Sequence, residues 1–315
     1  MSDTTETVVI NHSEFPLPPQ VIKWPGIRVV ECPREGEIPP EVDGEVVLTR
    51  TDGGPNLADL LARSPRWVHT VGTGVDGFPF DALQGQTLTC SRGISGELIG
   101  EWVFAQMLAA AKGLPDVFLD QPPADWSRPD FRVGTLRGAT VVILGMGGIG
   151  SEVARLSLAL DMKVVGVRRR GTDAPHPGMT VVNDIATVIG EADHVVVAAP
   201  STPDTQGMFD TELFAKMKPG VHFCNIARGT LVDQDALRAA LDSDTISRAS
   251  LDVCTPEPLP EGHWMYHHPK VLLTPHTSWM GPGAYETMIE TFHQNYLAWR
   301  AGEPLDGLVD IDAGY

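Results

Sequence analysis

Three hundred and fifteen residues, 42% of them apolar and 20% charged, make an ordinary globular composition with length for one or two hydrophobic cores. Neither the 32 glycines nor the 26 prolines dominate any stretch, which excludes collagen, long disordered linkers and low-complexity tails. A formal charge of −18 argues against nucleic acid or an anionic membrane as the main partner, because phosphate binding needs clustered Lys and Arg.

The chain opens on Met1-Ser2-Asp3-Thr4-Thr5-Glu6, with no basic or apolar leader, and no apolar run reaches 18 residues. A soluble, cytoplasmic protein is expected. Strand patterns at 8–10, 27–31 and 44–49 precede a helix at 57–62, strands at 67–71 and 87–90, and a long apolar helix at 94–112. Strands then alternate with helical patterns: strand 141–144, helix 151–160, strand 163–167, helix 185–190, strand 193–199, helix 211–217, strand 221–226 and helix 233–241. Strands at 248–253 and 271–273 and a helix at 284–300 complete the series. These strands are apolar throughout, as parallel strands covered on both faces should be, so an α/β fold of doubly wound parallel sheets is predicted. The glycine-rich middle reads as a domain of residues 104–284 inserted into another made of 1–103 and 285–315. Cys32, Cys90, Cys224 and Cys254 have no metal-ligand spacing; no disulfide framework and no metal are expected, and Cys224 and Cys254 read as core.

Gly145-Met146-Gly147-Gly148-Ile149-Gly150 matches GxGxxG between an apolar strand and a helix. In that context Gly145 permits the tight turn, Gly147 admits a pyrophosphate to the backbone, and Gly150 lets helix and strand pack closely, with the amides of Gly148 and Ile149 at the helix start. The next strand ends in Arg168-Arg169-Arg170, where an NAD-selective site carries an acid. Either Arg168 and Arg169 receive a 2′-phosphate, or the three arginines form a solvated loop. NADP(H) is therefore expected in preference to NAD(H), with NAD(H) still usable.

Beyond that strand stand Ala199-Pro200-Ser201-Thr202-Pro203-Asp204-Thr205-Gln206-Gly207, Ile226-Ala227-Arg228-Gly229, Leu251-Asp252-Val253 leading to Pro256-Glu257-Pro258, and Thr274-Pro275-His276. With Val71-Gly72-Thr73-Gly74-Val75-Asp76 upstream, the stretch 44–310 resembles the D-isomer-specific 2-hydroxyacid dehydrogenase family, in its glyoxylate and hydroxypyruvate reductase branch. The resemblance implies a Rossmann cofactor domain inserted into a flavodoxin-like substrate domain, and reduction of a small 2-oxo acid to its D-2-hydroxy acid.

Such a reduction needs a hydride, a proton for the carbonyl oxygen and a cationic anchor for the carboxylate. Arg228 follows a strand end, and its fork matches carboxylate and carbonyl oxygens; the resemblance gives it that role. His276 is the natural proton donor, and Glu257, 19 positions earlier, could bond its far nitrogen and fix the tautomer. By resemblance Thr73 and Gly74 clamp the substrate carboxylate through backbone amides, Asp252 accepts from the nicotinamide carboxamide, and Pro200, Thr205 and Ala227 line the cofactor. Trp102 and Trp279 either border the substrate or pack in a core or dimer interface. A homodimer is expected through helix 94–112 and the arm 114–136. Two other readings stay open: a non-catalytic, dinucleotide-sensing scaffold of the same fold, and a formate- or phosphite-type dehydrogenase.

Overall fold

The structure, a computed structural model, describes residues 6–17, 21, 24–114, 116–119, 121–122, 126 and 133–315. The chain divides into two compact units, with divisions after Ile94 and after Met280.

The first unit contains β1 (Thr7–Asn11), β2 (Ile27–Glu31), β3 (Val46–Thr49), α1 (Leu57–Leu61), β4 (Trp67–Thr70) and β5 (Thr87–Cys90). Its five strands are all parallel, in the order β2-β1-β3-β4-β5. That is the 2-1-3-4-5 order of flavodoxin-like sheets. Both faces are covered: in β3, Val47 joins a core with Leu57, Leu60 and Val68, while Val46 and Leu48 join Trp67, Phe292 and Tyr296.

The second unit runs through α2 (Gly96–Ala111), β6 (Thr140–Leu144), α3 (Gly148–Ala159), β7 (Lys163–Val167), β8 (Thr180–Val182), β9 (His194–Val197) and α4 (Thr211–Ala215). It continues with β10 (Val221–Asn225), α5 (Gln234–Asp242), β11 (Ile246–Leu251) and β12 (Val271–Leu273). Seven parallel strands stand in the order β12-β11-β10-β9-β6-β7-β8. Counted from β6 this is 3-2-1-4-5-6 with one strand added, the dinucleotide-binding order. Val141 and Ile143 of β6 pack with Val103 and Met107 of α2, and Val142 and Leu144 pack on the other face. The order reverses between β6 and β9, and ligands of such sheets bind beyond the strands' carboxyl ends at that point. Helix α6 (Ala284–Ala301) then returns the chain to the first unit, where it buries Met288, Ile289, Phe292 and Tyr296.

Four details differ from the sequence reading. Strand β8 has no expected counterpart, because three residues are too few for periodicity to register. Residues 185–190, expected as a helix, form two 3₁₀ turns, Ile185–Thr187 and Ile189–Glu191; so short a segment cannot recover the cost of nucleating an α-helix. All of α2 lies in the second unit, whereas the sequence places a boundary near 103: a Cβ on Gly100 would stand 2.6 Å from Glu152 Cγ of α3, so bare glycine lets the two helices meet. Cys224 is buried as expected, but Cys254 is only half-buried, because β11 ends at Leu251. Of the arm 114–136, positions 115, 120, 123–125 and 127–132 lie outside the described residues. Among the described residues no helix is long and apolar enough to cross a membrane.

Candidate active site

The glycine turn leaves β6 at the reversal point, and each glycine meets a different constraint. Gly145 has φ +96°, and a Cβ there would stand 2.6 Å from the Ala198 carbonyl; one on Gly150 would stand 1.9 Å from Gly145 O. These two are required by the fold itself. A Cβ on Gly147 would meet nothing within 4 Å, so its bareness serves no internal packing and leaves the turn open to an approaching ligand. Gly147 is also the N-cap of α3 and offers no side-chain cap. The first amides of the helix, at Gly148 and Ile149, therefore remain for an anion, with the helix dipole behind them. A dinucleotide pyrophosphate fits this turn.

Beyond β7, Arg168 is half-buried and donates through Nη1 to the Asp173 carbonyl at 3.1 Å. Arg169 pairs with Asp204 at 3.5 Å, and Arg170 is exposed. Asp204 belongs to the loop after β9 that also carries Pro200 and Thr205, whose hydroxyl donates to the Pro200 carbonyl at 2.7 Å and so closes the loop on itself.

Arg228 lies on the turn after β10, which ends at Asn225. The Asn225 side chain spans this turn: Oδ1 accepts from Ala227 N at 3.0 Å and Nδ2 donates to Arg228 O at 2.9 Å. Arg228 Nη1 donates to the Ala227 carbonyl at 2.6 Å. The next residue must be glycine, since a Cβ on Gly229 would stand 2.1 Å from Cys254 C. The arginine turn is thereby pressed against the loop after β11. There Cys254 N donates to Glu257 Oε1 at 3.0 Å, and the second carboxylate oxygen, Oε2, lies 2.9 Å from His276 Nδ1. Arg228, Glu257 and His276, 48 residues apart in sequence from first to last (276 minus 228), thus stand on three adjoining strand ends of one unit.

His276 sits in the left-handed region with φ +54°, a conformation uncommon outside glycine that persists only where neighbours over-determine it. Asp252 does so here. Its backbone carbonyl accepts from His276 N at 2.9 Å. Its carboxylate accepts from Thr274 Oγ1 at 2.5 Å, Thr277 N at 2.8 Å and Ser278 N at 2.9 Å. The resemblance gives Asp252 to the nicotinamide carboxamide; in the structure it is 1% exposed and holds the turn that carries His276. Trp279 adds a further tie, its indole N–H donating to the His276 carbonyl at 3.0 Å. Both Trp279 and Trp102 pack against the core that contains Val103 and Met107.

Thr73 and Gly74 stand in the first unit, on the turn after β4. The turn is set by a contact of Thr51 Cγ2 that leaves no room for a Cβ on Gly72, 2.5 Å away, and by a 3.0 Å bond from Ser91 N to Gly72 O. Burial and the nearby Glu257 charge push the Cys254 thiol up, and burial and Asp252 do the same to Cys224, so neither supplies a thiolate nucleophile. The sequence reading gives no role to Asn225, which it places inside the strand 221–226, to Thr274, which it names only within the Thr274-Pro275-His276 motif, or to the Cys254 amide.

Residues 104–278 match the family model described as D-isomer specific 2-hydroxyacid dehydrogenase, NAD binding domain. Over 270 residues the chain is 33% identical to glyoxylate/hydroxypyruvate reductase B of Pectobacterium carotovorum, covering 82% of this chain and 83% of that protein. Among solved structures it is similar to the NADPH-dependent glyoxylate/hydroxypyruvate reductase of Sinorhizobium meliloti in complex with NADP and sulfate. That pair has 26% identity and a TM-score of 0.80, covering 98% and 100% of the two chains. The D-isomer specific 2-hydroxyacid dehydrogenase of Xanthobacter autotrophicus, in complex with NADPH and MES, is 25% identical with a TM-score of 0.80, covering 99% and 100%. A glycine-rich turn at the sheet's reversal point, an arginine and a carboxylate–histidine pair on neighbouring strand ends, and these matches agree: the chain belongs to the D-isomer specific 2-hydroxyacid dehydrogenase family of NAD(P)-dependent oxidoreductases.

Proposed function

We propose that the protein is a 2-oxo acid reductase of the glyoxylate and hydroxypyruvate type, forming D-2-hydroxy acids and using NADPH in preference to NADH. The observation that carries this reading is the 2.9 Å contact of Glu257 and His276 on the loops beside Arg228. When bound, the nicotinamide cofactor would supply a hydride for C2 of the substrate. Gly145, Gly147 and Gly150, with the amides of Gly148 and Ile149, hold its pyrophosphate. Pro200, Thr205 and Ala227 border it, and Arg168 and Arg169 attract a 2′-phosphate.

The protein's own chemistry is to place charge and a proton. Arg228 offers a planar fork to the carboxylate and carbonyl oxygens, orienting the carbonyl and stabilising the negative charge that grows on its oxygen. Glu257 takes the Nδ1 proton side of His276, which leaves Nε2 to give its proton to that oxygen. Asp252 keeps the acid's turn in place, and Trp279 supports the same turn. For Thr73 and Gly74 the reading is recognition of a carboxylate by backbone amides.

The same reading includes a homodimer. Along the described part of the arm 114–136, Phe118 and Trp126 are 71% and 79% exposed, with Leu119 and Val133 also exposed; apolar surface of this kind marks an interface. Light scattering at micromolar protein should give twice the chain mass, and a monomer mass would remove this part of the reading. Steady-state oxidation of NADPH and NADH against 2-oxo acids from glyoxylate to phenylpyruvate tests the rest. The smallest acids with NADPH should give the highest kcat/KM; a better result with phenylpyruvate or with NADH would overturn the corresponding assignment.

A further inference from the structure

We propose that Asn225 is a positioning residue for the reaction: it fixes the backbone that presents Arg228 and ties that turn to the one that carries His276. The inference rests on the role given to Arg228 above. Asn225 is 1% exposed and ends β10, so its carboxamide is desolvated and must be fully satisfied within the chain.

Its partners on the two sides differ in polarity. Ala227 N at 3.0 Å can only donate, and Arg228 O at 2.9 Å can only accept. A carboxamide, with one acceptor and one donor end, matches both; a carboxylate matches only the first. Through these two bonds the side chain bridges the Ile226–Ala227 peptide to the peptide that follows Arg228, while Arg228 Nη1 bonds back to Ala227 O at 2.6 Å. The direction from which the guanidinium leaves the sheet is therefore set at Asn225 as well as by the rotamers of Arg228.

The main chain of the same residue reaches the acid. Asn225 O accepts from Asp252 N at 3.0 Å. Asp252 in turn holds the 274–278 turn through Thr274 Oγ1, Thr277 N and Ser278 N, and accepts from His276 N. Two bonds thus join the arginine's turn to the histidine's, with Asn225 as the first element. An aspartate here would lose the donor to Arg228 O and add a second buried carboxylate near Asp252, so the position discriminates between two side chains of the same shape.

The test is a double-mutant cycle on the holoenzyme, with Asn225→Asp and Asn225→Ser each made alone and on an Arg228→Lys background. NADPH affinity, read by nicotinamide fluorescence, should change far less than kcat/KM in every variant, even though Ala227 borders the cofactor. For the 2-oxo acid, kcat/KM should fall about 10- to 100-fold in Asn225→Asp, the usual cost of misplacing a substrate-orienting group. Asn225→Ser, which adds no buried charge, should lie between. On the Arg228→Lys background the same changes should cost less than about 3-fold, because the fork they position is already gone. An Asn225→Asp enzyme with wild-type kcat/KM, or an undiminished penalty on the Arg228→Lys background, overturns the inference while leaving the role of Arg228 intact. Wild-type kinetics in Arg228→Lys itself would instead overturn that role, and this inference with it. Serine at position 225 places no charge in the buried strand end, so the cycle can be read even if the aspartate variant fails to fold.

Discussion

Glu257 grips two groups at once: Oε2 lies 2.9 Å from His276 Nδ1 while Oε1 accepts from Cys254 N at 3.0 Å. The carboxylate is thus held by the loop that abuts Gly229, and it orients the imidazole from the side away from Nε2. Replacing Glu257 by Gln keeps the shape but removes the negative charge facing the imidazolium. The Nε2 proton is then less well oriented and the charge that forms on the ring less well balanced, so kcat for 2-oxo acid reduction should fall, by less than the about 10²- to 10⁴-fold that the positioned acid itself contributes. A Glu257→Gln enzyme with wild-type kcat would dissolve the pair as a functional unit.

Cofactor choice is the next expectation. Arg168 is half-buried, and Arg169 shares its charge with Asp204 at 3.5 Å. Arg168→Asp should therefore move the ratio of kcat/KM toward NADH. Asp204→Asn should move it toward NADPH by a few fold at low salt, since the carboxylate that competes with a 2′-phosphate is lost; exposed pairs contribute only about 0–1 kcal/mol. Added salt should weaken the wild-type preference. Equal kcat/KM for both cofactors would make the three arginines a solvated loop.

The glycine turn separates folding from binding. Gly150→Ala would push a methyl to 1.9 Å from Gly145 O, whereas Gly147→Ala meets nothing within 4 Å. Thermal unfolding should report a large loss of stability for Gly150→Ala and little change for Gly147→Ala. Fluorescence titration should nonetheless show weakened NADPH binding by Gly147→Ala. Wild-type affinity in that variant would mean that no pyrophosphate approaches the turn.

Buried histidines, His69 and His194 among them, weaken stability in acid. Burial lowers His69, bonded to Thr89 and Ser91, to about 3, and His194, beside His222, to about 4. In the unfolded chain both would take up protons near 6.5. Between those values the unfolded state binds more protons, so stability is full above pH 6.5 and falls as pH drops toward 4. At pH 5 one such ring costs about 2 kcal/mol. His69→Gln should flatten the dependence of unfolding free energy on pH across this window. An unchanged slope would show that His69 does not titrate in it.

Much of this was legible before any coordinates. The GxGxxG turn, the strand ends at Arg228 and His276 and the alternation of parallel strands follow from local pattern, because fully buried strands and glycine turns constrain composition directly. What escaped is what tertiary context decides. Strand β8, Thr180–Val182, forms by pairing with β7 and has no pattern of its own. Asn225 falls inside the strand expected at 221–226, and its side-chain bonds depend on where Ala227 and Arg228 turn back. The inward commitment of Asp252 and the left-handed backbone of His276 are likewise consequences of the 274–278 turn, which no spacing in the sequence announces.

The central claim, that His276 delivers the proton in reduction of a small 2-oxo acid, is tested most directly by NADPH oxidation with hydroxypyruvate, followed by nicotinamide absorbance in the wild type and in His276→Ala. With NADPH affinity nearly intact, kcat of the variant should fall about 10²- to 10⁴-fold, the usual contribution of a positioned general acid. A His276→Ala enzyme that oxidises NADPH at the wild-type rate, or a wild type that binds NADPH yet leaves hydroxypyruvate and glyoxylate unreduced, would contradict it.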